Sequence, residues 1–295
     1  MTQPPASQSP TAQQVTVDQD IWLSAADHDY RLRVYRPVTA TSGTILVWAH
    51  GGAWIGGELE MPEADWVARS IAAAGIAVVS IDYTLAPMLP GPSGEIAPPA
   101  ADERPRAGYP VSSIQVAAAF DWAVEHATEL GGDPDRIGIG GASAGANLAA
   151  SAAVRLRDAG RHQPSTVILS YPAVHATMPP TPDALGEQLA AVAEEDKIDP
   201  TEMPKLAGNY AGDAVGEPYA FPGGHDVSNL PRTLIINAEL DTLRPSGEQY
   251  AAELALTGCD VRVRYEPDTT HGYLNNPDDP GAPRTIARIV SWLTE

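Results

Sequence analysis

Cysteine and lysine are nearly missing from this chain: there is one cysteine, Cys259, and there are two lysines, Lys197 and Lys205. A single cysteine excludes an internal disulfide. Because it follows Gly258 at an expected strand start, it reads as a small buried filler rather than a reactive thiol. Positive charge is scarce as a whole, with 18 basic against 38 acidic side chains and a formal charge of −20. Such a surface repels phosphate backbones and anionic lipid, so neither nucleic acid nor a membrane is an expected partner. No apolar run reaches the roughly 18 residues of a membrane span. The opening "MTQPPASQSPTAQQV" has neither a basic nor an apolar region, so no signal peptide is expected and a cytoplasmic location fits best. No H-E-x-x-H pattern or His/Cys cluster is present, and no metal or cofactor is expected.

With 43% hydrophobic and 19% charged residues, the composition is that of a globular protein. One domain over 1–295 is expected. From Tyr30 to Val38, "YRLRVYRPV" alternates like a half-buried antiparallel strand. Six further runs read as strands: Gly43–His50, Gly75–Tyr83, Arg136–Ala142, Thr166–Pro172, Thr233–Leu240 and Asp260–Glu266. Most are continuously apolar, as strands covered on both faces are. Between and after them, Glu63–Ala74, Ser112–Leu130, Ala144–Asp158, Ser246–Leu256 and Pro283–Leu293 have helical composition. This alternation predicts an α/β fold with a mostly parallel sheet and helices on both faces. Two segments break the rhythm. Met88–Gly108, crowded with Pro and Gly, is expected as a long surface loop. Ala173–Asn229 is expected as an insertion over the sheet edge, with helical pieces at Asp183–Glu195 and Pro200–Tyr210.

The stretch "GASAG", Gly141–Gly145, sits where a strand run gives way to an alanine-rich helical one. Its G-x-S-x-G spacing is that of a nucleophile elbow, in which small residues let a strand turn sharply into a helix and the serine is left projecting from the corner. In open parallel sheets ligands bind beyond the carboxyl ends of the strands, which is where Ser143 falls. A serine hydroxyl is a weak nucleophile at neutral pH and requires a base, which itself requires an orienting group. Asp241 ends the strand "TLIINAEL", and His271 follows the strand "DVRVRYE". Both therefore lie on the Ser143 side of the sheet, in the chain order Ser, Asp, His. Glu239 is an alternative carboxylate, and His175, which also follows a strand end, is the rival base.

Ester cleavage also requires donors for the oxyanion. "HGGAW", His50–Trp54, follows a strand, and the N–H groups of Gly51 and Gly52 are expected beside that of Ala144 at the helix N-terminus. Trp54, Tyr83 and Tyr109 are candidate substrate-binding residues lining the cleft.

Taken together, "HGGAW", "DYTLAP", "GASAGANLA", "DTLRPSGEQYAAEL" and "HGY" resemble the bacterial hormone-sensitive lipase family (family IV) of α/β-hydrolase carboxylesterases, from about Thr44 to the C-terminus. The resemblance implies Ser143, Asp241 and His271 as a triad, with Gly51, Gly52 and Ala144 as oxyanion donors and no cofactor. It also implies a cap made from about residues 1–28 and 175–225. The expected activity is hydrolysis of short- to medium-chain acyl esters, with a small-molecule ester as the partner; a homodimer is left open. An amidase such as an arylformamidase on the same triad, or a non-catalytic ligand-binding protein on a hydrolase fold, are the alternatives. The family's "GDSAGG" elbow is altered: Ala142 replaces the Asp and Ala146 the last Gly, which removes a carboxylate that would bond nearby loops.

Overall fold

The computed structural model describes residues 15–39, 42–90 and 104–295. Its chain runs through β1 (Val15–Val17), β2 (Ile21–Ala25), β3 (His28–Pro37), β4 (Ile45–Ala49), α1 (Asp65–Ala73), β5 (Ala77–Asp82), α2 (Val111–Glu125), β6 (Ile137–Ala142) and α3 (Ala144–Asp158). It continues through β7 (Thr166–Ser170), α4 (Asp183–Leu189), α5 (Met203–Ala211), β8 (Thr233–Ala238), α6 (Arg244–Leu256), β9 (Val261–Glu266) and α7 (Gly281–Thr294). The strands form one sheet in the order β1-β3-β5-β4-β6-β7-β8-β9, with β2 also paired to β3. From β5 to β9 every pairing is parallel, whereas β3 runs antiparallel to β5.

Strands β4 to β8 are buried along their whole length. Helices cover them on both faces, which is why these strands read as unbroken apolar runs. One face carries a core built with α2, α3 and α6, around residues such as Phe120, Leu148 and Leu254. The opposite core uses α1 and α7, around Trp48, Ile71 and Trp292. Helix α3 is buried at twelve of its fifteen residues, half of them alanines. Small side chains let it lie close to the sheet, and at Gly145 a Cβ would stand 2.2 Å from the Ala49 carbonyl oxygen.

The seven expected strands and five principal helices are all present. Strands β1 and β2 were not expected. Residues 15–28, expected in a cap, instead belong to the sheet: β2 and β3 form a hairpin with Ala25 opposite His28. Its two-residue turn, Ala26-Asp27, has φ of 52° and 60°. Left-handed turns of this kind usually carry Asn-Gly or Asp-Gly, so the signal was missing. Residues 1–14 of that cap expectation, and residues 91–103 of the expected loop, lie outside the described residues. The segment between β7 and β8 holds α4 and α5 as expected, but α4 ends at Leu189, short of the predicted Glu195. No helix among the described residues is long and apolar enough to cross a membrane. Cys259 is half-buried before β9, where burial pushes its thiol up.

Candidate active site

The sheet order reverses between β4 and β6: β5 lies on one side of β4 and β6 on the other. A crevice opens at such a switch point beyond the strand carboxyl ends. The turn after β4 carries Gly51 and Gly52, and the turn after β6 carries Ser143. Topology alone therefore sets the glycine loop beside the serine.

Ser143 has φ 53° and ψ −118°, a strained conformation for a residue with a side chain. The corner is held by close backbone contact. A Cβ at Gly141 would come 2.5 Å from the backbone of Gly145, so both glycines of the elbow are required by space. The Ser143 N–H donates to the Ser170 carbonyl, and its own carbonyl accepts from Asn147 N. Both backbone bonds are thus internal, and the side chain points to His271. The Nε2 of His271 lies 2.8 Å from Ser143 Oγ, and its Nδ1 lies 2.8 Å from Asp241 Oδ2. Asp241 is buried, and its second oxygen accepts from Leu243 N at 2.8 Å. Burial pulls the imidazole pKa down, but the Asp241 carboxylate and, more weakly, Glu63 raise it above its ordinary value of 6.5.

The rival residues go elsewhere. Glu239 accepts from Asp268 N. His175 forms its own cluster, with Nδ1 2.9 Å from Ser246 Oγ and Nε2 3.2 Å from Glu253 Oε1. Ser246 is fully buried and its Oγ also accepts from Val174 N, so this second Ser-His-carboxylate set braces α6 against the chain leaving β7.

The glycine loop corrects one expectation. Gly51 N donates to Glu63 Oε2 at 2.6 Å, which removes it as an oxyanion donor. Gly52 and the following Ala53 find no acceptor for their N–H groups among the described residues. Gly52 has φ 112°, and a Cβ there would meet the Gly56 carbonyl at 2.1 Å. Ala144 N opens α3, at the positive end of the helix dipole.

Two of the three aromatic candidates are packing groups rather than cleft liners. Tyr83 is fully buried, stacks on His50 at 4.5 Å and donates to the His50 carbonyl at 2.9 Å. Trp54 is 2% exposed, stacked on Tyr210 of α5 at 5.1 Å and edge-on to Phe221. Tyr109 is less buried; its ring meets Tyr210 and its hydroxyl donates to Glu217 Oε2 at 2.9 Å. All three fasten the glycine loop or the segment around α5. Both readings come from aromatic residues near strand ends, and composition does not distinguish packing from lining. A cavity of about 720 Å³ lies away from Ser143, between Trp22, Arg31, Glu58, Asp82 and Arg104. Within it Asp82 pairs with Arg31 and Arg104. Burial would raise the Asp82 pKa, but His50, Arg104 and Arg31 together hold it below its usual value.

Sequence reasoning missed Glu63, Tyr171 and Asn275. Glu63 is 1% exposed and accepts from Gly51 N, from Tyr171 Oη at 2.6 Å and from Asn275 Nδ2 at 3.4 Å. A carboxylate thirteen residues past His50 carries no spacing signal of its own.

A switch-point serine on a strained elbow, bonded through a histidine to a buried carboxylate, defines a hydrolase site on an α/β sheet. The chain belongs to the α/β-hydrolase fold family, whose model matches residues 46–94 and 103–275. Its similarity to the hormone-sensitive lipase type holds. Among known proteins it is 34% identical over 249 residues to the carboxylesterase NlhH of Mycobacterium tuberculosis, covering 84% of this chain and 72% of that protein. It is 26% identical to an arylesterase of Saccharolobus solfataricus, covering 93% of this chain and 80% of the relative. In structure it resembles the hyperthermophilic esterase of the archaeon Pyrobaculum calidifontis, with a TM-score of 0.77, 29% identity, and coverage of 96% and 85% of the two chains.

Proposed function

We propose that this carboxylic ester hydrolase cleaves short- to medium-chain acyl esters through an acyl-enzyme formed on Ser143. His271 Nε2 takes the Ser143 proton as Oγ attacks the ester carbonyl, and Asp241 holds the ring and stabilises the imidazolium. The N–H groups of Gly52, Ala53 and Ala144 receive the oxyanion. Protonated His271 then gives its proton to the departing alcohol. A water molecule, deprotonated by the same nitrogen, attacks the acyl carbonyl and releases the acid with Ser143 restored.

The observation that carries this reading is the continuous hydrogen-bonded line from Ser143 Oγ through His271 to Asp241. The relatives named as carboxylesterase and arylesterase support the ester over the amide. The segment 175–225 serves as the cap: Asn209 Nδ2 reaches the Pro87 carbonyl and Tyr210 O accepts from Tyr109 N, which ties α5 to loops beside the strand ends. Tyr109, between body and cap, forms a wall of the cleft. We further propose a cytoplasmic location and, as the assembly to test by size-exclusion chromatography, a homodimer.

Hydrolysis of p-nitrophenyl esters from acetate to long acyl chains, with matched anilides alongside, tests the reading. The expected profile peaks at short to medium acyl lengths with anilides far slower. Faster anilide cleavage would make the chain an amidase, and silence on every ester and amide would leave a binding protein.

A further inference from the structure

We infer that Glu63 is a positioning residue for this reaction, holding the oxyanion loop and the His271 side of the site in one arrangement. The inference rests on the esterase reading above and adds a residue outside the triad.

The carboxylate of Glu63 receives donors from three separate loops. Gly51, in the loop after β4, donates its N–H to Oε2 at 2.6 Å. Tyr171, the first residue after β7, donates its hydroxyl to Oε1 at 2.6 Å. Asn275, four residues past His271, donates Nδ2 to the same oxygen and accepts from Glu63 N at 3.3 Å. The Glu63 carbonyl accepts from Trp48 Nε1 of β4, which fixes the residue at both ends. Glu63 and Tyr171 are each 1% exposed and Gly51 is buried, so losing the carboxylate leaves the Gly51 N–H and the Tyr171 hydroxyl as buried donors without their acceptor, whereas Asn275 is exposed.

Each of the three contacts lies next to a reacting part. A Cβ on Gly51 would stand 3.0 Å from Ser143 Cβ, so the bond from Glu63 turns this loop at the nucleophile and aims the next two N–H groups. The Tyr171 ring meets the His271 ring edge-on, 5.0 Å between centroids, and rests on Tyr273 at 5.2 Å. Asn275 anchors the turn that carries His271. The groups facing His271 are therefore Asp241, Ser143 and the Tyr171 ring, with Tyr273 and Glu63 behind that ring. Of these, Asp241 and Glu63 carry negative charge toward the imidazole, and both raise its pKa.

Glu63→Gln keeps the shape but replaces an acceptor by an amide and removes the charge. The expected result is a kcat lowered about tenfold or more with KM within about twofold, because the affected donors act on the transition state. The acid limb of the kcat/KM profile should also move to lower pH, and the His271 N–H signal in proton NMR, read without substrate, should titrate lower by the same amount. A merely structural role would lower thermal stability and leave both titrations where they were, and that result would overturn the inference. If Glu63→Gln does not fold, Tyr171→Phe keeps the ring on His271 and removes one bond. It should lower kcat with the acid limb at or above the wild-type pH, and an unchanged kcat would overturn the inference equally. Wild-type inactivity on every ester would instead sink the esterase reading, while the NMR titration still reports on Glu63.

Discussion

His271 Nε2 and Ser143 Oγ meet at 2.8 Å although 128 residues separate them in the chain. Parallel strands bring them together, because β6 and β9 end on the same side of the sheet and each releases its loop there. Ser143→Ala should therefore abolish turnover, lowering kcat by at least about 10⁴-fold. The melting temperature should stay near the wild-type value, since the lost hydroxyl makes one bond and leaves a small gap. Residual activity close to wild type on purified Ser143→Ala would show that another group attacks the ester.

The pH profile follows from the charge around His271. Its pKa is raised above 6.5, with burial opposing and Asp241 and Glu63 prevailing. The base must be neutral to accept the serine proton, so activity should rise with pH and reach half its plateau above 6.5. Asp241→Asn should move that midpoint down and lower kcat by about 10³ to 10⁴-fold. The stability linkage has the opposite sense. A folded-state pKa above the unfolded one means the Asp241–His271 contact stabilises fully below about pH 6.5 and loses its contribution as pH rises through the folded value. A kcat/KM flat from pH 5 to 8 contradicts the assignment.

Strand and helix positions were legible where burial imposes a pattern. The apolar runs that became β4 to β8 and the alanine-rich α3 announce themselves, because a strand covered on both faces admits few polar residues. Ser143 was legible from its G-x-S-x-G spacing at a strand end, and Asp241 and His271 from their places past the ends of two later strands in the chain order Ser, Asp, His. The hairpin of β2 and β3 was not, since Ala26-Asp27 turns without glycine. Glu63 was not legible either: its partners Gly51, Tyr171 and Asn275 come from three loops, and a through-space contact of that kind leaves no period in the chain. The role of the Gly51 N–H went astray for the same reason, because its acceptor is Glu63.

Gly145 tests the packing that makes the elbow. A methyl group there would approach the Ala49 and His50 carbonyl oxygens at 2.2 and 2.3 Å. Backbone atoms cannot swing aside, so α3 must shift from β4. Gly145→Ala should cost about 1–3 kcal/mol of stability, seen as a lower midpoint in urea. It should also lower kcat by displacing Ser143 and the Ala144 N–H together. Wild-type stability and activity in this variant would mean that the helix can retreat without cost.

Trp54 links the glycine loop to the segment proposed as the cap. Its ring stacks on Tyr210 at 5.1 Å with an interplanar angle of 9°, and Phe221 closes the edge. Its carbonyl accepts from Ala86 N at 2.8 Å, so the backbone of the loop is held independently of the ring. Trp54→Ala should therefore leave Gly52 and Ala53 in place while detaching α5, with KM rising more than kcat falls. Removing a buried indole costs about 3–5 kcal/mol in a well-packed core. Trp54→Phe, which retains a stacking face for Tyr210, should recover most of that stability and most of the KM. An unchanged KM in Trp54→Ala, measured on a medium-chain ester, would show that α5 does not shape the substrate site.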